Sequence, residues 1–81
     1  MNNYIFAICK GNKNKLHPVV ANTYEDAIEK AKQEIDRFLN LDDETYNILD
    51  QNDDWVTIRY ELQEKGIYVT HLKELEEMFN L

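Results

Sequence analysis

The sequence predicts an α+β fold in a single domain, and three observations predict it. Residues 4–10 and 16–22 are short β-favouring runs separated by a glycine-containing turn, which reads as a hairpin. Residues 24–39 repeat apolar side chains at helical spacing. The second half repeats the layout, with alternating apolar residues over 55–62, Gly66, a β-branched run over 67–71 and a last apolar stripe. A chain of 81 residues has room for one hydrophobic core, so 1–81 is expected to be one domain. The expected architecture is a small antiparallel sheet in ββα–ββα order. It carries a long helix over about 24–39, a short acidic helix or loop over 42–54 and a short C-terminal helix over about 72–80.

In the first strand, apolar residues fall on both alternating faces. The segment from Gly11 to Lys15 is a turn by composition, and Pro18 in the returning strand cannot donate to a ladder, so that strand belongs at an edge or a bulge. If the five-residue turn closes symmetrically, Lys10 faces Leu16, Cys9 faces His17 and Phe6 faces Val20. One side of the hairpin then holds Tyr4, Phe6, Ile8, Leu16 and Val20, and the other Ile5, Ala7, Cys9, Val19 and Ala21. Neither side is polar, so either helices cover both or one side meets another chain.

Thr23 suits the N-cap of the long helix, with Glu25 and Asp26 in its first turn. Ala27, Ile28, Ala31, Ile35, Phe38 and Leu39 make its apolar stripe. Val56, Ile58, Tyr60 and Leu62 alternate with Thr57, Arg59 and Glu61, which favours a strand over 55–62 and a turn at Gly66. The alternative over the same residues is a helix with Asp54 as N-cap and Gly66 as a left-handed C-cap. Leu72, Leu75, Met78 and Phe79 mark the terminal helix.

Charge and composition narrow the function classes. The net charge is −7 and it is unevenly spread. Lys10, Lys13 and Lys15 are three of the nine bases, and the first 22 residues contain no acid; the rest holds all sixteen acids against six bases. Such a body repels nucleic acid phosphates and anionic lipid and suits a basic protein surface. Cys9 is the single cysteine, so no intrachain disulfide forms, and a cytoplasmic location is expected for a domain this small without staples. The N-terminal apolar run lacks a basic lead-in and is too short for a signal peptide or a membrane span, so no membrane partner is expected.

Several constellations hint at chemistry. Cys9 beside His17 resembles half of a thiol–imidazole dyad, but an orienting group and an oxyanion donor are missing, and a buried structural cysteine explains Cys9 better. Asp50, Asn52, Asp54 and Glu61 imitate the ligand spacing of an EF-hand calcium loop over twelve residues. Trp55 occupies the place where that loop needs glycine, so no metal is expected and calcium is the weaker alternative. Gly11 and Gly66 are the only glycines, which excludes a glycine-rich phosphate loop. No cofactor is expected, and no convincing set of catalytic residues emerges. The hairpin followed by Thr23-Tyr24-Glu25-Asp26-Ala27-Ile28-Glu29-Lys30-Ala31 resembles HicB-type antitoxins over less than half the chain. The third strand that family places before its helix is missing, and no residue role is carried over.

The expected function is therefore noncatalytic: a small acidic module that binds and modulates a protein partner with a basic surface. By analogy with small acidic proteins of mobile elements, one version is an inhibitor of a nucleic-acid-handling enzyme. The candidate contact surface is Asp42, Asp43, Glu44, Tyr46, Asp50, Asp53, Asp54 and Trp55, with Tyr46 or Trp55 as anchor. A second candidate surface, for a homodimer or strand addition, is Ile5, Ala7, Val19 and Ala21. The alternative from another class is nucleic acid binding through the tip at Lys10, Lys13 and Lys15.

Overall fold

The structure is a computed structural model and describes residues 2–72. Its elements run β1 (Asn2–Lys10), β2 (Lys13–Ala21), α1 (Tyr24–Leu39), α2 (Asp43–Gln51), α3 (Trp55–Glu64) and β3 (Ile67–His71). The strands form one antiparallel sheet in the order β2-β1-β3, so the fold is α+β with an antiparallel sheet. Apart from Leu72, the terminal helix expected over about 72–80 lies outside the described residues.

Two expectations are corrected. The first concerns the hairpin. β1 and β2 are joined by the two residues Gly11 and Asn12, not by five, and Lys10 pairs with Lys13. Gly11 has φ +57°, as the first central position of a type II′ hairpin turn demands, and that turn matches the twist of the strands it joins. Phe6 therefore faces His17, and Cys9 faces Asn14. The pairing slips by an odd number of residues from the symmetric five-residue closure, and an odd slip turns every β2 side chain to the other face.

The second correction is residues 55–64, which are helical. Asp54 caps α3 by accepting from the Val56 N–H at 3.3 Å and from the Thr57 hydroxyl at 2.7 Å. Trp55, Ile58 and Leu62 are buried on one side of the helix, while Val56 and Tyr60 face solvent. Gly66, at φ +79°, lets the chain leave the helix and enter β3.

Both corrections follow from which side of the sheet is covered. The inward face presents Phe6 and Ile8 from β1, His17, Val19 and Ala21 from β2, and Ile67, Val69 and His71 from β3. These pack against Ala27, Ile28, Ala31, Ile35 and Leu39 of α1, Leu49 of α2, and Trp55, Ile58 and Leu62 of α3. Burying a side chain of the size of Ile35 or Leu62 contributes about 1.5–3 kcal/mol, so this one layer of contacts holds the domain together. The three helices thus share one face of the sheet.

The other face carries Asn3, Ile5, Ala7 and Cys9 on β1 and Asn14, Leu16, Pro18 and Val20 on β2. Tyr68 and Thr70 complete it on β3. Among the described residues no charged side chain stands on it. No helix among the described residues covers it, and Ile5, Leu16, Val20 and Tyr68 are exposed. No helix of the described residues is long and apolar enough to cross a membrane.

Candidate functional site

The helical layer holds a groove of about 560 Å³ between α1 and α2. α1 contributes Glu29, Lys32, Gln33, Asp36 and Arg37, and the α2 side contributes Tyr46, Leu49, Asp50 and Asp53. Local sequence explains how each side is set. Thr23 caps α1 by accepting from the Asp26 N–H, and the stripe Ala27–Ile35 fixes its inward face, which leaves Glu29 and Asp36 outward. At its end Asn40 adopts the left-handed conformation, φ 53°, and donates its backbone N–H to the Asp36 carbonyl at 2.7 Å. The chain then turns into α2, which Asp42 caps by accepting from the Thr45 N–H at 2.8 Å. Leu49 anchors α2 to the core, so Tyr46 and Asp50, three residues before and one after it, line the groove.

The two cations of the groove are already engaged. Lys32 donates to Glu29 at 3.0 Å and to the Asn52 carbonyl at 3.3 Å, tying α1 to the loop between α2 and α3. Arg37 donates to Glu34 at 3.1 Å. Asp36, Asp50 and Asp53 carry no such partner among the cations lining the groove, so its charge balance is negative. Tyr46 is 44% exposed and supplies an aromatic face beside them.

The acidic stretch divides into three groups. Tyr46, Asp50 and Asp53 line the groove. Asp42 and Asp54 cap α2 and α3, and Glu44 pairs with Lys65 at 3.0 Å while Asp43 sits exposed in the first turn of α2. The Thr45 backbone N–H, and then the Thr45 side chain, hold the Asp42 carboxyl below its ordinary value. Hydrogen bonding to Glu44, and then its charge, hold Lys65 above its ordinary value. Trp55 departs from expectation. It is 8% exposed and packs into the core, so it offers a partner no anchor.

Other sequence candidates are taken apart by the register. Val19 and Ala21 lie in the core, while Ile5 and Ala7 remain on the outer face. Cys9 is on that outer face and His17 on the inner one, so the thiol–imidazole pair does not assemble. Instead the His17 Nδ1 lies 3.5 Å from the Glu34 Oε2, and its ring meets the Phe38 ring edge to face at 4.8 Å. In the calcium-like segment the Asn52 side chain donates to Glu61 at 3.1 Å and to the Ile48 carbonyl at 2.8 Å, so these groups satisfy one another. No group of three or more metal-ligating side chains occurs among the described residues. At the basic tip, Lys13 donates to the Phe38 carbonyl at 2.7 Å and lies over the Phe38 ring, while Lys10 and Lys15 are exposed.

The residues that sequence reasoning missed are Glu29 and Asp36, the α1 half of the groove. Their outward positions on the amphipathic stripe were legible, but nothing in the sequence said that α2 would lie beside them. Among the described residues the fold is one helical layer on a three-stranded antiparallel sheet. No family model matches the chain, and no curated protein or solved structure matches it significantly.

Proposed function

We propose that this is a noncatalytic protein-binding module whose α1–α2 groove receives a basic segment of a protein partner and so modulates that partner. The observation that carries the proposal is the groove itself, where Tyr46 stands among Asp36, Asp50 and Asp53 while Lys32 is engaged by Glu29 and the Asn52 carbonyl and Arg37 by Glu34. A Lys or Arg side chain entering it finds carboxylates for its charge and an aromatic ring for its stem. The wider negative charge of the protein steers such a partner and speeds encounter. A surface that ordinarily holds nucleic acid phosphates has the same chemistry as this partner, which keeps inhibition of a nucleic-acid-handling enzyme within the proposal.

The test is capture of partners from the native host with tagged protein, repeated with a Tyr46→Ala, Asp50→Asn, Asp53→Asn variant. Loss of one partner with that variant, and its release by salt of about 0.5 M, is the expected result. Equal retrieval of the same partner by the variant overturns the groove as the contact surface.

A further inference from the structure

We infer that the outer face of the sheet is a self-association surface, and that its occupant is the same face of a second copy of the chain. This face is separate from the α1–α2 groove and does not depend on it. Among the described residues it is uncovered and uncharged, in a protein of net charge −7. Ile5, Leu16, Val20 and Tyr68 stand exposed on it, while the smaller Ala7 and Cys9 lie along the central strand between Leu16 on one side and Tyr68 on the other. The register therefore makes a shallow hollow along β1 flanked by two large side chains. A two-fold axis running along β1, midway between two such sheets, sets Leu16 of each protomer over Thr70 of its partner and beside Tyr68, the reciprocal pattern a two-fold interface requires.

Charge and area decide for a second copy. A charged partner finds nothing to pair with here and would lose hydration without compensation. The occupant must itself offer an uncharged apolar face of this size, and the chain carries one. Among the described residues every acid lies outside the strands, on the helices or the connections beside them. With layers about 10 Å apart, face-to-face sheets leave the acidic layers of the two protomers about 30 Å apart. That is several Debye lengths at physiological salt, where the length is about 8 Å, so mutual repulsion is screened. Seven residues each of β1 and β2 and the five of β3, at about 3.3 Å each in strands about 4.8 Å apart, give a flat footprint of about 300 Å². Side-chain relief raises the surface removed from water to roughly 500 Å² per protomer, which reaches the lower bound of about 1,000 Å² in total for a specific interface. The dimer is accordingly weak, with a dissociation constant on the order of 10–100 µM.

Sedimentation of the full chain over about 10–500 µM tests this, with Cys9 labelling by a thiol reagent as a second readout. The expected result is a concentration-dependent dimer in which Cys9 reacts more slowly as concentration rises. Leu16→Glu and Tyr68→Glu, both at exposed positions, should weaken the dimer at least tenfold, whereas Val56→Glu on the exposed side of α3 should leave it unchanged. Circular dichroism of each variant establishes that it is folded. A monomer throughout the range overturns the inference. Slow Cys9 labelling at every dilution then shows that the chain itself covers the face, and rapid labelling shows that the face is bare. A dimer unaffected by both outer-face variants also overturns it, by placing the contact elsewhere.

Discussion

Phe6 at the centre of β1 and Trp55 at the start of α3 meet edge to face, with ring centroids 5.9 Å apart and planes at 81°. Phe6 is fully buried and Trp55 nearly so, and the contact joins the central strand to the helix that precedes β3. Edge-to-face pairs add about 0.5–1.5 kcal/mol beyond the area they bury. Together with the buried Ile58 and Leu62, this pair sets where α3 sits on the sheet.

Trp55→Ala is therefore expected to cost about 3–5 kcal/mol, a large share of the 5–15 kcal/mol that stabilises a domain of this kind. Urea denaturation followed by circular dichroism measures it. A loss below about 1 kcal/mol would mean that the ring is not packed in the core. Since Trp55 is the only tryptophan, its fluorescence in the unaltered protein should shift to longer wavelength across the same transition.

Gly11 sets the hairpin register through its backbone alone. A Cβ added there meets nothing within 4 Å, so the penalty for Gly11→Ala comes from φ +57° and not from a clash. A loss of about 1 kcal/mol is expected, read from the denaturation midpoint at unchanged slope. A variant as stable as the unaltered protein would show that the turn is not held at positive φ.

How much of this was legible in the sequence differs by element. α1 was fully legible because its cap, acidic first turn and apolar stripe all point the same way. Residues 55–62 were ambiguous because their apolar residues satisfy two periods at once. Ile58 and Leu62 lie on the strand-like alternation with Val56 and Tyr60, and also on the helical stripe with Trp55. The Asp54 cap decides for the helix, and in the sheet β3 already fills the second side of β1. For the hairpin, the Gly11–Asn12 pair was itself a two-residue turn signal. It was masked by the polar run through Lys15, and the slip it causes carried Val19 and Ala21 into the core. Half of the groove was visible in the acidic stretch. The other half needed α1 and α2 to lie on either side of one groove, which no local pattern encodes.

Asp42 gives the protein an acid-sensitive cap. The Thr45 N–H bond holds its carboxyl below the ordinary value, so the folded state favours the ionised form. A lowered folded value contributes stability above the unfolded value, near 3.8, and that contribution disappears as pH falls through the folded value. Asp42→Asn keeps a capping side chain and removes the titration. Its urea midpoint at neutral pH should be close to that of the unaltered protein, while its further loss between about pH 5 and pH 2 should be smaller. Identical acid profiles for the two proteins would remove Asp42 from the pH response.

Asn40 ends α1 at φ 53°, the one residue other than glycine at positive φ among those described. Asparagine tolerates this conformation better than a residue with an ordinary Cβ, because its short polar side chain bonds locally. Asn40→Ala keeps the backbone N–H that caps Asp36 but loses that tolerance, and a cost of about 0.5–1 kcal/mol is expected. Asn40→Gly removes the strain while adding freedom to the unfolded chain, so the two terms nearly cancel and the midpoint should move little. The comparison isolates the conformation. If alanine and glycine at position 40 gave equal stability, the sharp exit from α1 would not depend on the left-handed residue, and the placement of α2 would rest on its own contacts, among them Leu49, Ile48 and the Lys32 bond to the Asn52 carbonyl.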